Sequence, residues 1–303
     1  MRILSENIML RCILSKMNKR KFIALIIVAI VGIISYFFQN GESGINEKNL
    51  AGDKMKVHFI DVGQGDCSLI ELPDGKTMLV DAGETEEGQN ITRYLKSCGV
   101  GKIDFLVGTH PHSDHIGGLE EIINNFEISN IYMPRKSHNS VTFKNLLNCI
   151  KENGLTVKSP MAGEILYENG GVKIKVLSPM ESHYDDLNNY SIVLEIIYGN
   201  KSFLLTGDAE NQILNNIAIS GKVDVLKVSH HGSYSANGKR FYNRIMPEYA
   251  VISVGNSNRY GHPHRETLGI LKERNIKFFR TDNDGTIVFE TDGNEINVME
   301  SGE

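Results

Sequence analysis

Thr109-His110-Pro111-His112-Ser113-Asp114-His115 is the stretch on which the reading of this chain turns. It directly follows an apolar run, IDFLVGT at 103–109, and precedes Gly117-Gly118 and a helical pattern. The apolar run predicts a buried strand, so three imidazoles and a carboxylate sit on the loop that leaves it. Neutral imidazole and carboxylate together suit zinc and similar divalent ions. His110 and His112 can point one way, and Asp114 and His115 another, which is enough for two adjacent ions. A solvated polar loop is the bland alternative, but chance composition rarely places four potential ligands within six residues at a strand's end.

Three more pieces share that placement. Thr206-Gly207-Asp208 ends an apolar strand and puts a carboxylate at its tip, where one group can bridge two ions. Ser229-His230-His231-Gly232-Ser233 follows the apolar run VDVLKVS at 223–229, and Asp81 closes MLVDA at 78–82. A single Asp or His at a strand end is commonly a cap; its recurrence at several strand ends is what points to one site. Tyr260-Gly261-His262-Pro263-His264 adds His262, either a proton donor to a leaving group or phosphate oxygen or a packed histidine.

Around these motifs, from 55 to 299, hairpin-like strands combine with helix–strand alternation. Strands are predicted at 57–62, 67–72, 78–82, 103–109, 130–133, 172–177, 191–198, 202–206, 223–229, 250–254, 285–290 and 295–299. Helices are predicted at 89–98, 116–126, 142–153, 209–219, 238–245 and 265–274. Pro73-Asp74-Gly75-Lys76 and Gly199-Asn200 carry turn chemistry. Mixed sheets with helices outside account for the pattern, as one unit without an internal repeat.

T-H-P-H-S-D-H, preceded by L-V-D-A-G and followed by L-T-G-D and H-H-G-S, resembles the metallo-β-lactamase superfamily. H-F-I-D-V-G-Q-G-D at 58–66, K-V-S-H-H-G-S at 227–233 and V-G-N-S-N-R-Y-G-H-P at 254–263 are similar to its ComEC-like branch, typified by the extracellular hydrolase domain of late-competence DNA-uptake proteins. The resemblance implies an α+β fold, a four-layer αββα sandwich, with a dinuclear site at one edge holding two divalent metal ions; zinc is expected, manganese the second choice. It places His110 and His112 on one metal. Asp114, His115 and His230 fall on the other, with Asp208 bridging and His231 in reserve for His230. The family's further His, before the strand that leads to Gly-Asp, is missing from Asp185-Asp186-Leu187-Asn188-Asn189-Tyr190-Ser191; Asn188 or a water is the substitute, and His183 is nearby but misplaced. Asp114 would orient the attacking water and accept its proton, with His262 as the second catalytic candidate.

Residues 22–38, FIALIIVAIVGIISYFF, form an uncharged run of seventeen after Lys19-Arg20-Lys21. That length reaches the lower limit for spanning a bilayer, and the preceding positive charge keeps the N-terminal end cytoplasmic. The reading is a basic cytoplasmic segment over 1–21, a transmembrane signal anchor over 22–38, a polar linker over 39–54, and an extracytoplasmic hydrolase domain over 55–299. A cleaved signal peptide, giving a secreted protein, is the rival, but the run ends in Tyr36-Phe37-Phe38-Gln39 instead of a small-residue cleavage site. Met17 is an alternative start.

Composition bounds the rest. The chain has 303 residues, 41% apolar and 23% charged, which is globular composition. Its four Cys form no C-x-x-C pair, which argues against a zinc ribbon or a disulfide scaffold. Residues 1–21 carry net +5 and the remainder net −10, so a generally basic nucleic-acid coat is excluded. The window 227–266 is locally basic, with Lys227, Lys239, Arg240, Arg244, Arg259 and Arg265 against Glu248 and Glu266. Positive charge beside a dinuclear site favours a phosphoester or nucleic-acid substrate. The expected function is a membrane-anchored phosphodiesterase or nuclease; the alternatives are an acyl hydrolase for a lactam or thioester, and a tethered module with structural metals.

Overall fold

Period-two alternation in Met55–Phe59 sends Met55, Val57 and Phe59 to one fully buried face, and Lys56 and His58 to the other. Both faces of most central strands are buried, so each sheet needs cover on two sides. The computed structural model, which describes residues 54–299, shows how this is met. One eight-stranded sheet runs in the order Ile296–Met299, Ile287–Thr291, Met55–Phe59, Ser68–Glu71, Thr77–Val80, Phe105–Val107, Ile131–Tyr132 and Val157–Lys158. A seven-stranded sheet runs Lys277–Arg280, Tyr249–Ile252, Val225–Lys227, Lys201–Leu205, Val193–Tyr198, Val172–Ser178 and Ile165–Asn169.

Aromatic rings join the two sheets. Phe289 of the first meets Phe203, Tyr249 and Phe279 of the second edge-to-face or near it, with ring centroids 6.3, 5.5 and 6.0 Å apart. On the outer face of the first sheet, Leu69, Leu79 and Leu106 are covered by helices Gly88–Ser97, Leu119–Asn125 and Val141–Glu152 through Ile91, Leu95, Ile122 and Leu146. Ser140 caps the last of these, its Oγ accepting from the Phe143 amide. On the outer face of the second sheet, Leu204, Leu226 and Ala250 are covered by helices Asn211–Leu214, Lys239–Ile245 and Arg265–Glu273 through Leu214, Phe241 and Leu271. The four layers are therefore helix, sheet, sheet, helix.

Both expected hairpin turns form, with Gly75 and Gly199 at φ +83° and +56°. Two helices differ from expectation. The one over 116–126 is broken into Ser113–Ile116 and Leu119–Asn125, because the chain at Gly117-Gly118 runs against the backbone at Ala82, whose carbonyl accepts from the Gly118 amide. The one over 209–219 is only Asn211–Leu214, with Asn215-Asn216 ending it. Strands at Val157–Lys158, Ile165–Asn169 and Lys277–Arg280 lie at or beyond sheet edges, where one-sided pairing leaves little periodic signal. The expected anchor over 22–38 and nearly all of the linker lie outside the described residues; among those described, no helix is long and apolar enough to cross a membrane. Cys67, Cys98 and Cys149 are free thiols.

The parallel strands position the site. Thr77–Val80 and Phe105–Val107 are parallel neighbours in one sheet, and Lys201–Leu205, Val225–Lys227 and Tyr249–Ile252 are parallel in the other. Their carboxyl ends carry Asp81, the His110–His115 loop, Asp208 and the His230-His231 pair. Ligands commonly bind outside the carboxyl ends of such strands.

Candidate metal centre

The centre is built on Asp81, a buried residue in the left-handed region at φ +60°. Its Oδ1 accepts from the Thr109 amide and its Oδ2 from the Thr109 hydroxyl, both at 2.7 Å, which pins the start of the ligand loop. The same Oδ2 lies 2.7 Å from His115 Nδ1. With Nδ1 donating there, His115 presents Nε2 as a free ligand nitrogen, the usual role of a carboxylate behind a metal-binding imidazole. His230 and His231 are also left-handed, at φ +49° and +51°. Such backbone costs about 1–3 kcal/mol per residue; here it aims two successive imidazoles differently.

Asp208 is the hub. Its Oδ1 is 3.3 Å from His115 Nε2, and its Oδ2 is 3.6, 3.8 and 3.9 Å from the Nε2 atoms of His231, His230 and His110. Gly207, at φ +50°, allows this approach: a Cβ there would lie 3.1 Å from both Ser191 Oγ and Thr109 Oγ1. Three groups of ligand atoms share His115: it converges with His110 and Asp208, with Asp114 and His231, and, behind them, with Asp66 and Asp81. His112 Nδ1 lies 2.9 Å from His110 Nε2. The structure thus brings together all six residues expected as ligands: His110, His112, Asp114, His115, Asp208 and His230.

Within the doublet it makes a distinction that spacing could not. His231, the reserve residue, is the one whose Nε2 joins Asp114 Oδ2, at 3.3 Å, while its Nδ1 is 2.9 Å from the Ser253 carbonyl oxygen. His230 instead lies half-buried on the cleft wall, with Nδ1 3.0 Å from Glu210 Oε1 and Nε2 facing Asp208. Asn188, expected as a substitute for the missing His, is buried beside His230 and its Oδ1 has no hydrogen-bond partner. His183 is exposed and pairs with Asp185, away from the candidate ligands. His262 lies on the cleft wall, its ring 5.5 Å from that of His230. Burial and the neighbouring His231 and His230 pull its imidazole down to about 4.

The electrostatics fit a cation. Burial would lower His115, but Asp208, Asp81 and Asp114 hold it well above the usual histidine value. Burial likewise opposes charge on Asp208, yet His115 and His231 keep its carboxyl well below the usual range. Among the described residues, buried His115 Nε2, His231 Nε2 and Asp208 Oδ1 form no hydrogen bond of good geometry, their nearest polar approaches being 3.3 Å. Native interiors rarely leave such atoms unpaired. Imidazole nitrogens and carboxylate oxygens converging in this way, with positive charge favoured among them, are a donor set for divalent ions.

Behind the ligands, Asp66 of the D-V-G-Q-G-D motif accepts from buried Lys227 Nζ at 2.7 Å and lies 3.3 Å from His231 Nδ1. Lys227 therefore does not belong to a basic surface; the carboxylate facing it draws the ammonium between the sheets. Lys239 is paired with Glu273 and Arg244 donates to the carbonyls of Leu214, Asn215 and Ile217, so these too are engaged elsewhere. Of the six window cations, Arg259 is the one that lines the cleft. Lys227→Met leaves Asp66 buried without its ammonium, and breaking such a pair costs about 3–5 kcal/mol. An unfolding free energy lowered by that amount, read from the shift of the denaturant midpoint, is expected; an unchanged midpoint would mean that His231 alone balances Asp66.

The cleft over the centre has a volume of about 300 Å3 and is lined, besides the candidate ligands, by Glu84, His138, Ser140, Arg259, Tyr260 and His262. Glu84 and His138 escaped sequence reasoning. Neither belongs to a local cluster at a strand end, and no spacing signal marks them.

Residues 60–255 match the sequence profile of the metallo-beta-lactamase superfamily, and the chain belongs to it. Members are generally metal-dependent hydrolases, and the fold normally binds two divalent metals. Among characterised sequences, the chain is 32% identical over 254 residues to ComE operon protein 3 of Bacillus subtilis, covering 77% of this chain and 33% of that protein. It is 29% identical to Competence protein ComA of Neisseria gonorrhoeae, covering 76% and 31%. The chain thus spans about a third of the length of these relatives. The solved structure of a CmlA beta-hydroxylase E377D mutant aligns with TM-score 0.53 at 16% identity, over 77% of this chain and 53% of that one, a likeness of fold.

Proposed function

We propose that this protein is a metal-dependent phosphoester hydrolase acting on a phosphodiester, nucleic acid first among them. The observation that carries the reading is the position of Arg259, a cation without an ion-pair partner among the described residues, on the wall of the cleft above the His/Asp cluster. The likeness to competence proteins supports the same substrate class. His110, His112 and Asp208 would hold one ion, and Asp114, His115 and His231 with Asp208 the other; His230, opposite Asp208 Oδ2, completes the first set. Two adjacent divalent ions lower the pKa of a shared water and clamp the attacking and leaving oxygens of an in-line displacement. Asp114 would orient the water and accept its proton, Asp81 and the Ser253 carbonyl would hold His115 and His231 in their ligating tautomers, and Arg259 would draw in the phosphate. His262, neutral near pH 7, contributes as a hydrogen-bond partner on the cleft wall.

The test is full-length protein in detergent, analysed for bound metal and assayed side by side on a phosphodiester panel, DNA and a chromogenic β-lactam. Phosphodiester hydrolysis that weakens with added salt, and an Arg259→Glu variant with a raised KM and little change in kcat, are expected. Opening of the lactam with no phosphodiester turnover would transfer the site to acyl chemistry. No turnover by metal-loaded protein on any substrate would leave a binding module. The proposal includes an uncleaved anchor at 22–38 with the catalytic domain outside the cytoplasm; a soluble pool of full-length chain in cell fractions would refute that part.

A further inference from the structure

The rings beside the centre form a continuous stripe running out to solvent. His262 lies against His231, centroids 6.2 Å apart and planes at 30°, and Tyr260 stacks on His262 at 5.7 Å and 22°. His264 touches His262 edge-on at 4.8 Å, and Tyr234 packs on His264 at 4.9 Å. The two inner imidazoles are partly covered, but Tyr260 and Tyr234 are 50% and 62% exposed, among the most exposed large side chains described. Neither is in the apolar core, so burial does not account for them. Arg259 lies over the Tyr260 ring, its guanidinium carbon 5.1 Å from the centroid and its Nη2 donating to the phenol oxygen at 2.9 Å, a cover that an incoming base would displace or share. Two exposed aromatic rings, joined through imidazoles to a candidate phosphoester centre and flanked by a cation that has no ion-pair partner among the described residues, present aromatic surface and a positive charge together.

We propose that this stripe is a base-stacking platform for single-stranded nucleic acid, with Tyr260 and Tyr234 receiving unpaired bases on one side of the scissile phosphate and Arg259 meeting the backbone. The inference rests on the phosphoester reading and narrows it. Aromatic rings accept any base with an exposed face, which gives tolerance of sequence. A duplex hides those faces within its stack, which gives preference for single strands. Two tyrosines set apart by two imidazoles call for more than one nucleotide, so a strand fits the platform better than a dinucleotide.

Binding is measured apart from turnover, by fluorescence anisotropy of a labelled oligothymidylate with full-length, metal-loaded protein in the Asp114→Asn background. Stacking on one ring is lost in Tyr260→Ala or Tyr234→Ala, so Kd rises by at least about fivefold for each. Tyr→Phe at either position keeps the ring and holds Kd within about twofold. Matched duplex binds more weakly and is insensitive to all four substitutions, and a dinucleotide binds more weakly than the longer strand. Circular dichroism and thermal midpoints unchanged from the parent establish folding, as these side chains are exposed. Alanine variants that bind the strand as the parent does, phenylalanine variants as weak as alanine ones, or a duplex equally affected would each overturn the platform. The two readings fail separately: a wild-type protein that cleaves small phosphodiesters but ignores the tyrosine changes loses the platform alone. One that binds single strands through the tyrosines yet hydrolyses no phosphodiester loses the hydrolase reading alone.

Discussion

Asp208→Ala is expected to strip metal from both halves of the centre at once. The carboxylate faces His115 through Oδ1 and His110, His230 and His231 through Oδ2, so its loss is felt on both sides of the ligand set. Loss of a partner that merely supports a ligand typically weakens metal binding 10–100-fold, so loss of this one costs more than about 100-fold. Activity falls with occupancy. Elemental analysis of dialysed protein checks this directly, with His110→Ala as the comparison that depletes mainly one position. Wild-type stoichiometry in Asp208→Ala would remove its bridging role.

Asp114→Asn separates chemistry from architecture. The architectural part of Asp114 is its main chain: the Asp66 amide donates to the Asp114 carbonyl at 3.1 Å, and Gly65 packs so closely there that a Cβ would strike that oxygen. The side chain, partly open to the cleft, can change to an amide without disturbing either contact. An amide accepts no proton from the attacking water, and losing a general base costs about 10²–10⁴-fold in turnover. The expected result is a folded protein that needs excess metal to fill the Asp114 position and, once loaded, keeps that deficit in kcat. Full activity would place the base elsewhere, and Glu84 on the same cleft would be the next carboxylate to replace.

The local sequence determined which strands end in chemistry. Apolar runs of strand length followed at once by His110–His115, Asp208 or His230-His231 are legible because burial demands the run and metal binding demands polar donors just past it. The turns at Pro73–Lys76 and Gly199-Asn200 were legible for a similar reason, since each is fixed by φ > 0 at one glycine. Contacts across the two sheets were decided by the tertiary structure alone. Composition counted Lys227 in a basic window beside the site, but only packing sets it against Asp66. Spacing could not choose within the His230-His231 doublet, because both residues adopt left-handed backbone and their directions depend on Glu210, Ser253 and Asp66. Likewise Glu84, His138, Tyr234 and Tyr260 acquire meaning only once the chain folds them beside a centre that lies far from some of them in sequence. Periodicity reports which face of an element is buried; which partner that face or loop meets is a property of long-range packing, and the site is assembled from such meetings.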